Sequence, residues 1–260
     1  MSALNLSLVQ SSTIWENPEA NRKHLTELLN LQLTDQTDII ILPEMFTTGF
    51  SMNTKVLAET MDGPSVQWMK QISHKFQCAV CGSLIILEAE KYYNRFIWVD
   101  HLSTEIRIYD KSHLFSLAGE ENYYTAGQDK QIFTFKSWKI MPLICYDLRF
   151  PVWMRNTQLV DLMICVANFA AKRRKAWNSL LPARAIENVC FLAGVNIIGT
   201  DGNAIEYSGD SSVYNYEGDC MVELNSSIGV KSVSLDLYPM QVFRRAYPFL
   251  KDQDEFVIKR

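Results

Sequence analysis

Cys145 stands at the end of an apolar run, in Met141-Pro-Leu-Ile-Cys-Tyr-Asp-Leu-Arg-Phe-Pro151. A buried strand fits this run up to Ile144, and Pro151 suits the first turn of a following helix. Cys145 is then set in a sharp strand-to-helix turn, where neighbouring backbone N–H groups can hold a developing oxyanion. Most cysteines are small, inert core residues, so a nucleophile needs partners. Glu44 follows the short apolar strand Asp38-Ile-Ile-Ile-Leu42, and Lys111 follows a strand near 104–109. In layered α/β proteins, strand ends on one sheet edge converge, and sites form there. A thiol beside a carboxylate and an ammonium makes an acyl-transfer apparatus. The thiolate attacks a carbonyl, the carboxylate takes the thiol proton, and the ammonium stabilises negative charge. The ammonium is expected to lower the thiol pKa from its free value of about 8.5.

The elements that must position these groups follow from periodicity. Leu4 to Gln10 alternates as a first strand. Asn17-Pro18 forms an N-cap and N1 pair, and Leu25, Leu28, Leu29 and Leu31 lie largely on one face of the helix behind it. The strand at 38–42 is apolar on both faces. After a Gly-containing loop from Thr47 to Asp62, Pro64 opens a second helix through Val66, Met69 and Ile72. Strands are expected near 78–87, 92–99 and 104–109, then a loop from Ser116 to Gly127, then strands near 131–135 and 138–144. Beyond Cys145 come a short helix from Pro151, a strand at 162–166, and a helix over about 173–189 with Pro182 as a kink or restart. Strands near 190–199, 211–216, 219–224 and 230–236 precede a tail that reads as irregular from Tyr238. Strand–helix alternation with strand clusters indicates one layered α/β domain over residues 1–260.

Composition narrows the function class. Hydrophobic residues make up 48% of the 260, enough for a sizeable core. A net charge of -4 gives no electrostatic case for nucleic acid. No apolar run reaches the ~18–20 residues that span a bilayer. The start Met1-Ser-Ala-Leu-Asn lacks the basic and apolar regions of a signal peptide, so a cytoplasmic protein with reduced thiols is expected. Cys78-Ala-Val-Cys81 has CxxC spacing but lies in an expected buried strand. No second CxxC or His pair completes a zinc set, so both thiols read as core.

Three segments carry a family resemblance: Leu42-Pro-Glu-Met-Phe46, Tyr109-Asp-Lys-Ser-His-Leu-Phe115 and Ile144-Cys-Tyr-Asp-Leu-Arg-Phe-Pro151. In order and separation they resemble the three signature motifs of the nitrilase superfamily of carbon–nitrogen hydrolases, over essentially the whole chain. The resemblance implies a four-layer α-β-β-α sandwich, paired into a homodimer or higher homo-oligomer, that acts on a small-molecule amide. It implies no metal or organic cofactor. By it, Cys145 is the nucleophile, Glu44 the general base and Lys111 the stabiliser of the tetrahedral intermediate, with the backbone N–H of Tyr146 completing the oxyanion hole. A second glutamate of the family maps to Gly119-Glu120-Glu121-Asn122-Tyr-Tyr-Thr-Ala-Gly127, on Glu120 with Glu121 as the alternative. Among the branches, the chain resembles omega-amidases, which deamidate 2-oxoglutaramate or 2-oxosuccinamate. Such a substrate needs a cation for its distal carboxylate, and Arg173, Arg174 and Lys172 are the candidates. Many relatives have Trp-Pro after the asparagine matching Asn168, where this chain has Phe169-Ala170 on the expected pocket border. Other amidase or N-carbamoyl hydrolase branches, and a catalytically silent scaffold, are the alternatives. A silent relative has no chemical reason to keep all three of Glu44, Lys111 and Cys145.

Several neighbours read as structural. His113 is expected in the loop rather than in a Cys–His dyad, and Asp147 and Arg149 to cap the turn and pair with buried carboxylates. Trp177 is expected in the core, and Arg184 with Glu187 as a plain i,i+3 ion pair.

Overall fold

The computed structural model describes residues 3–33 and 36–259. Its first half contains β1 (Leu4–Gln10), α1 (Pro18–Gln32), β2 (Ile39–Ile41), α2 (Thr54–Leu57), α3 (Pro64–Phe76), β3 (Ala79–Glu88), β4 (Lys91–Asp100) and β5 (Ser103–Asp110). The second half runs β6 (Phe133–Phe135), β7 (Trp138–Ile144), α4 (Pro151–Met154), β8 (Leu162–Val166), α5 (Arg174–Asn188) and β9 (Phe191–Val195). It continues with β10 (Ile198–Thr200), β11 (Glu206–Ser208), β12 (Ser212–Tyr214), β13 (Cys220–Glu223), β14 (Gly229–Leu235) and α6 (Leu237–Ala246).

Among the described residues, two six-stranded sheets form, in the orders β14-β1-β2-β3-β4-β5 and β13-β12-β9-β8-β7-β6. Alternation along β1 and β2 divides their side chains between two cores. Leu4, Leu6, Leu8, Ile39 and Ile41 join Leu143, Ile144 and Val166 of the other sheet between the layers. Val9, Ile40 and Leu42 face the opposite way, onto Leu25 and Leu29 of α1 and Val66 and Met69 of α3. The Asn17 side chain caps α1 by accepting from Ala20 N at 3.1 Å, a contact typically worth about 1 kcal/mol. On the far side, α5 lays Trp177 and Leu181 against β9 so closely that a Cβ on Gly194 would meet Leu181 at 2.7 Å. The layers are therefore α-β-β-α, as expected.

This architecture decides where the chemistry lies. β1, β2 and β3 are parallel neighbours, as are β7, β8 and β9. β5 returns antiparallel to β4, which is itself antiparallel to β3, so β5 points the same way as β2. The segments after β2, β5, β7 and β8 thus leave their sheets at C-terminal strand edges, carrying Glu44, Lys111, Cys145 and Asn168.

α5 continues through Pro182, so the helix does not restart there. Two local expectations differ from the structure. The strand expected over 190–199 splits where Asn196 turns its side chain to the Phe169 backbone, accepting from Phe169 N at 2.8 Å. The tail is not irregular, because α6 forms there. Asp236 caps it by accepting from Tyr238 N at 2.9 Å, Leu237 and Met240 are buried, and Arg244 reaches the Val160 and Val189 carbonyls. An aromatic, Pro-containing composition hid a helix that tertiary contacts hold.

Candidate active site

Two strained turns present the key side chains. Cys145 has φ +45° and Met45, beside Glu44, has φ +41°. Such left-handed backbone costs a non-glycine residue about 1–2 kcal/mol and persists only where surroundings over-determine it. At Cys145 the restraint is the fully buried Asp147. One oxygen accepts from Ile144 N at 2.9 Å and Tyr109 OH at 2.7 Å. The other accepts from His113 N at 3.1 Å and lies 2.8 Å from His113 Nδ1. His113 also stacks on Phe150 with ring centroids 3.8 Å apart, so it braces the turn. At Met45 the backbone N–H donates to Ser83 Oγ at 2.9 Å, and Ser83 donates on to Asn94 Oδ1 at 2.8 Å.

Behind the thiol is a buried cluster of one cation and two carboxylates. Lys111 Nζ lies 3.0 Å from Glu44 Oε1 and 2.9 Å from Glu120 Oε2, with the three side chains at most 1% exposed. Asn94 Nδ2 donates to Glu44 Oε1 at 2.7 Å, and Asn168 N donates to Glu44 Oε2 at 2.7 Å. Glu120 Oε2 also accepts from Phe115 N at 2.6 Å, which closes its loop onto the cluster. Glu121 is exposed, so burial separates the two adjacent glutamates.

Cys145 and Lys111 open into a cavity of about 80 Å³. That is room for a short chain of heavy atoms, since about 10–15 Å³ of such space holds one water. Phe50, Phe115, Phe169, Ile205 and Tyr207 give it apolar walls, with Tyr146, Arg149 and Arg173 among its polar lining. The Arg173 guanidinium lies 4.7 Å from the Phe115 ring centroid and 5.4 Å from that of Phe169. Arg149 lies 5.9 Å from the same Phe169 ring. Among the described residues neither guanidinium has a carboxylate in ion-pair contact. A larger cleft of about 490 Å³, between Lys139, Asp161 and the end of α6, contains no thiol.

A family model described as carbon-nitrogen hydrolase matches residues 5–245. The chain belongs to this family. It is 39% identical over 99% of its length to omega-amidase YafV from Yersinia enterocolitica, covering 100% of that protein. It is 32% identical to 2-oxoglutaramate amidase from Bacillus subtilis (strain 168), covering 95% of this chain and 96% of the relative. Among solved structures, XC1258 from Xanthomonas campestris, a CN-hydrolase superfamily protein with an arsenic adduct in its active site, superposes with a TM-score of 0.95. That match has 39% identity and covers 100% of both chains.

In this carbon–nitrogen hydrolase, Glu44, Lys111, Glu120 and Cys145 come together, with Tyr146 and Phe169 at the cavity. Arg174 and Lys172 do not join them, which corrects the expectation for both. Arg174 is pinned to Asp210 by contacts of 2.7 and 2.8 Å, and Lys172 is exposed away from the cavity. Arg149 is a second correction. Expected to pair with a buried carboxylate, it is an exposed cation on the cavity rim. Its motif position beside Cys145 was the available signal. Trp177 is buried with its N–H on the Asp210 carbonyl, and Arg184 pairs with Glu187 at 3.1 Å, both as expected.

The thiol's acidity is a third correction. Burial pushes the Cys145 thiol well above its ordinary pKa of 9.0, and the Glu44 carboxylate pushes it further; the downward pull of Lys111 does not compensate. Burial works against the Lys111 ammonium too, but Glu120 and Glu44 outweigh it and hold its pKa above the ordinary value. Glu120 is raised, chiefly by burial, against the pull of Lys111. The resting site therefore holds a neutral thiol beside a locked ammonium. Such a thiol becomes a nucleophile only as a base removes its proton.

Proposed function

We propose that this protein is an omega-amidase, hydrolysing the terminal carboxamide of 2-oxoglutaramate or 2-oxosuccinamate to the 2-oxo dicarboxylate and ammonia. The carrying observation is the pair of guanidiniums without acidic partners, on one aromatic ring, at the mouth of the Cys145 cavity. Apolar walls with a cationic end suit a short acid whose far end is anionic, and guanidinium offers a carboxylate a bidentate fit.

In this reading Cys145 Sγ attacks the amide carbon as its proton passes to Glu44. Lys111 Nζ and the Tyr146 N–H receive the oxyanion, each donor worth about 2.7–4 kcal/mol in the transition state. Collapse breaks the C–N bond, and protonated Glu44 gives its proton to the departing ammonia. The thioester then takes a water whose proton goes to Glu44, and breaking the C–S bond returns the thiol and frees the carboxylic acid. Glu120 keeps Lys111 charged and in place. The steps balance with this chain's own residues and water. We propose too that the protein works as a homodimer or higher homo-oligomer in the cytoplasm, which sedimentation and cell fractionation test.

The deciding assay is ammonia release from 2-oxoglutaramate by wild type beside Cys145→Ala. Release that vanishes in the variant is expected, and an inert wild type would overturn the substrate assignment.

A further inference from the structure

We propose that Trp15 is a positioning residue that sets the width of the substrate cavity, acting as a spacer between two of its walls. Trp15 lies in the loop after β1. Its ring is held between two glycines. A Cβ on Gly49 would meet ring atoms Cε3 and Cζ3 at 3.1 Å, and one on Gly202 would meet Cδ1 at 2.3 Å. Gly49 has φ +77° and favours glycine on backbone grounds. Gly202 has no such angle, so it is the approach of the indole that excludes a side chain there.

Each glycine lies in a segment that supplies residues to the cavity lining. Phe50 follows Gly49, lines the cavity and lies with its ring 5.0 Å from Lys111 Nζ. Gly202 is in the turn between β10 and β11, and this hairpin supplies Ile205 and Tyr207 to the same cavity. The Trp15 loop is fastened to the Phe50 side. Glu16 N donates to the Thr48 carbonyl at 2.9 Å, and the Glu16 carboxylate accepts from Ser51 Oγ and Asn53 Nδ2. The hairpin is anchored at its base, where Ile198 N donates to the Ser11 carbonyl at 3.1 Å and Tyr207 bridges to Ala170. Its turn rests on the indole. Removing the indole leaves the hairpin free to settle away from Phe50, or into the vacated space, and either movement alters which acyl chains fit. On the omega-amidase reading, the excluded substrates are monoamides with a longer or branched chain.

The test has two readouts, so that failure of the spacer and failure of the substrate assignment are distinguishable. The first is alkylation of Cys145 by iodoacetamide and by N-phenyl iodoacetamide, followed by the mass of the Cys145 peptide. The second is kcat and KM for 2-oxoglutaramate and for its homologue one carbon longer. Trp15→Ala is expected to change the bulky-to-small alkylation ratio by about tenfold, the scale on which one methylene is discriminated. It should raise KM for the shorter amide and leave kcat within a few-fold. Gly202→Ala, which forces the indole and hairpin apart, should also move the ratio, and Trp15→Ala with Gly202→Ala should match Trp15→Ala alone. Unchanged ratios in folded Trp15→Ala and Gly202→Ala overturn the proposal. If Trp15→Ala does not fold, Gly202→Ala decides alone. If wild type hydrolyses neither amide, the substrate assignment falls and the alkylation ratio still decides the spacer.

Discussion

Replacing Lys111 with Met tests the buried cluster most directly. The ammonium lies 3.0 Å from Glu44 and 2.9 Å from Glu120, with all three side chains at most 1% exposed. Removing one partner of a buried ion pair strands the other charge and typically costs about 3–5 kcal/mol. Here two carboxylates are stranded together, so one must take a proton. The direction with pH follows. Wild-type Lys111 has a raised pKa, so its contribution is fully present below the ordinary 10.5 and constant through neutral pH. In the variant Glu120 loses the pull that held its already raised pKa down. A folded state that binds the proton more tightly than the unfolded chain loses stability as pH rises from the carboxylate range through the raised pKa. The gap between wild type and Lys111→Met should therefore widen from pH 5 to pH 8, reaching about 3–5 kcal/mol in urea unfolding. Adding Glu120→Gln should narrow it at pH 8. A gap below about 1 kcal/mol, the range of an exposed pair, or one independent of pH would refute the reasoning.

Other expectations concern the thiol, the rim and the Lys111 backbone. Because the Cys145 pKa is raised above 9.0, its alkylation rate should climb about tenfold per pH unit from pH 6 to 9 without a plateau; a plateau near pH 7 would contradict this. Glu44→Gln should lower amide turnover by about 10²–10⁴ while making the thiol more acidic, because Glu44 raises its pKa. The two effects separate in turnover and alkylation assays. Arg149→Met and Arg173→Met should each raise KM for 2-oxoglutaramate about 10–100-fold, on the scale of a hydrogen bond to a charged group. Turnover of an uncharged amide of equal length should be unaffected, and equal losses on both substrates would remove the clamp. Gly127→Ala would place a Cβ 2.2 Å from the Asp110 carbonyl oxygen, while Gly127 N donates to Lys111 O at 2.9 Å. The strain should lower the melting temperature and kcat together, as thermal scans beside ammonia assays will show.

The features that were legible in the sequence are those encoded locally. Glu44, Lys111 and Cys145 each follow a strand end, and strand ends are visible as apolar runs closed by a polar residue. The features that were not legible depend on which distant groups meet. Arg173 and Arg174 are adjacent and alike, and only Asp210, arriving from beyond the β10–β11 hairpin, ties one down and leaves the other at the cavity. The preference for Glu120 over Glu121 rests on the family resemblance alone, and only the fold buries Glu120 against Lys111 and leaves Glu121 exposed. The direction of the thiol shift failed for the same reason. A lysine nearby in space suggests an acidic cysteine, but that lysine's charge is already engaged by two carboxylates, and burial acts on the thiol first. The outcome has a mechanistic consequence: an enzyme with an acidic thiol could attack unaided, whereas this one must couple proton removal to attack. In the proposed mechanism the Glu44 carboxylate is thereby as necessary to the first bond-making step as the sulfur itself.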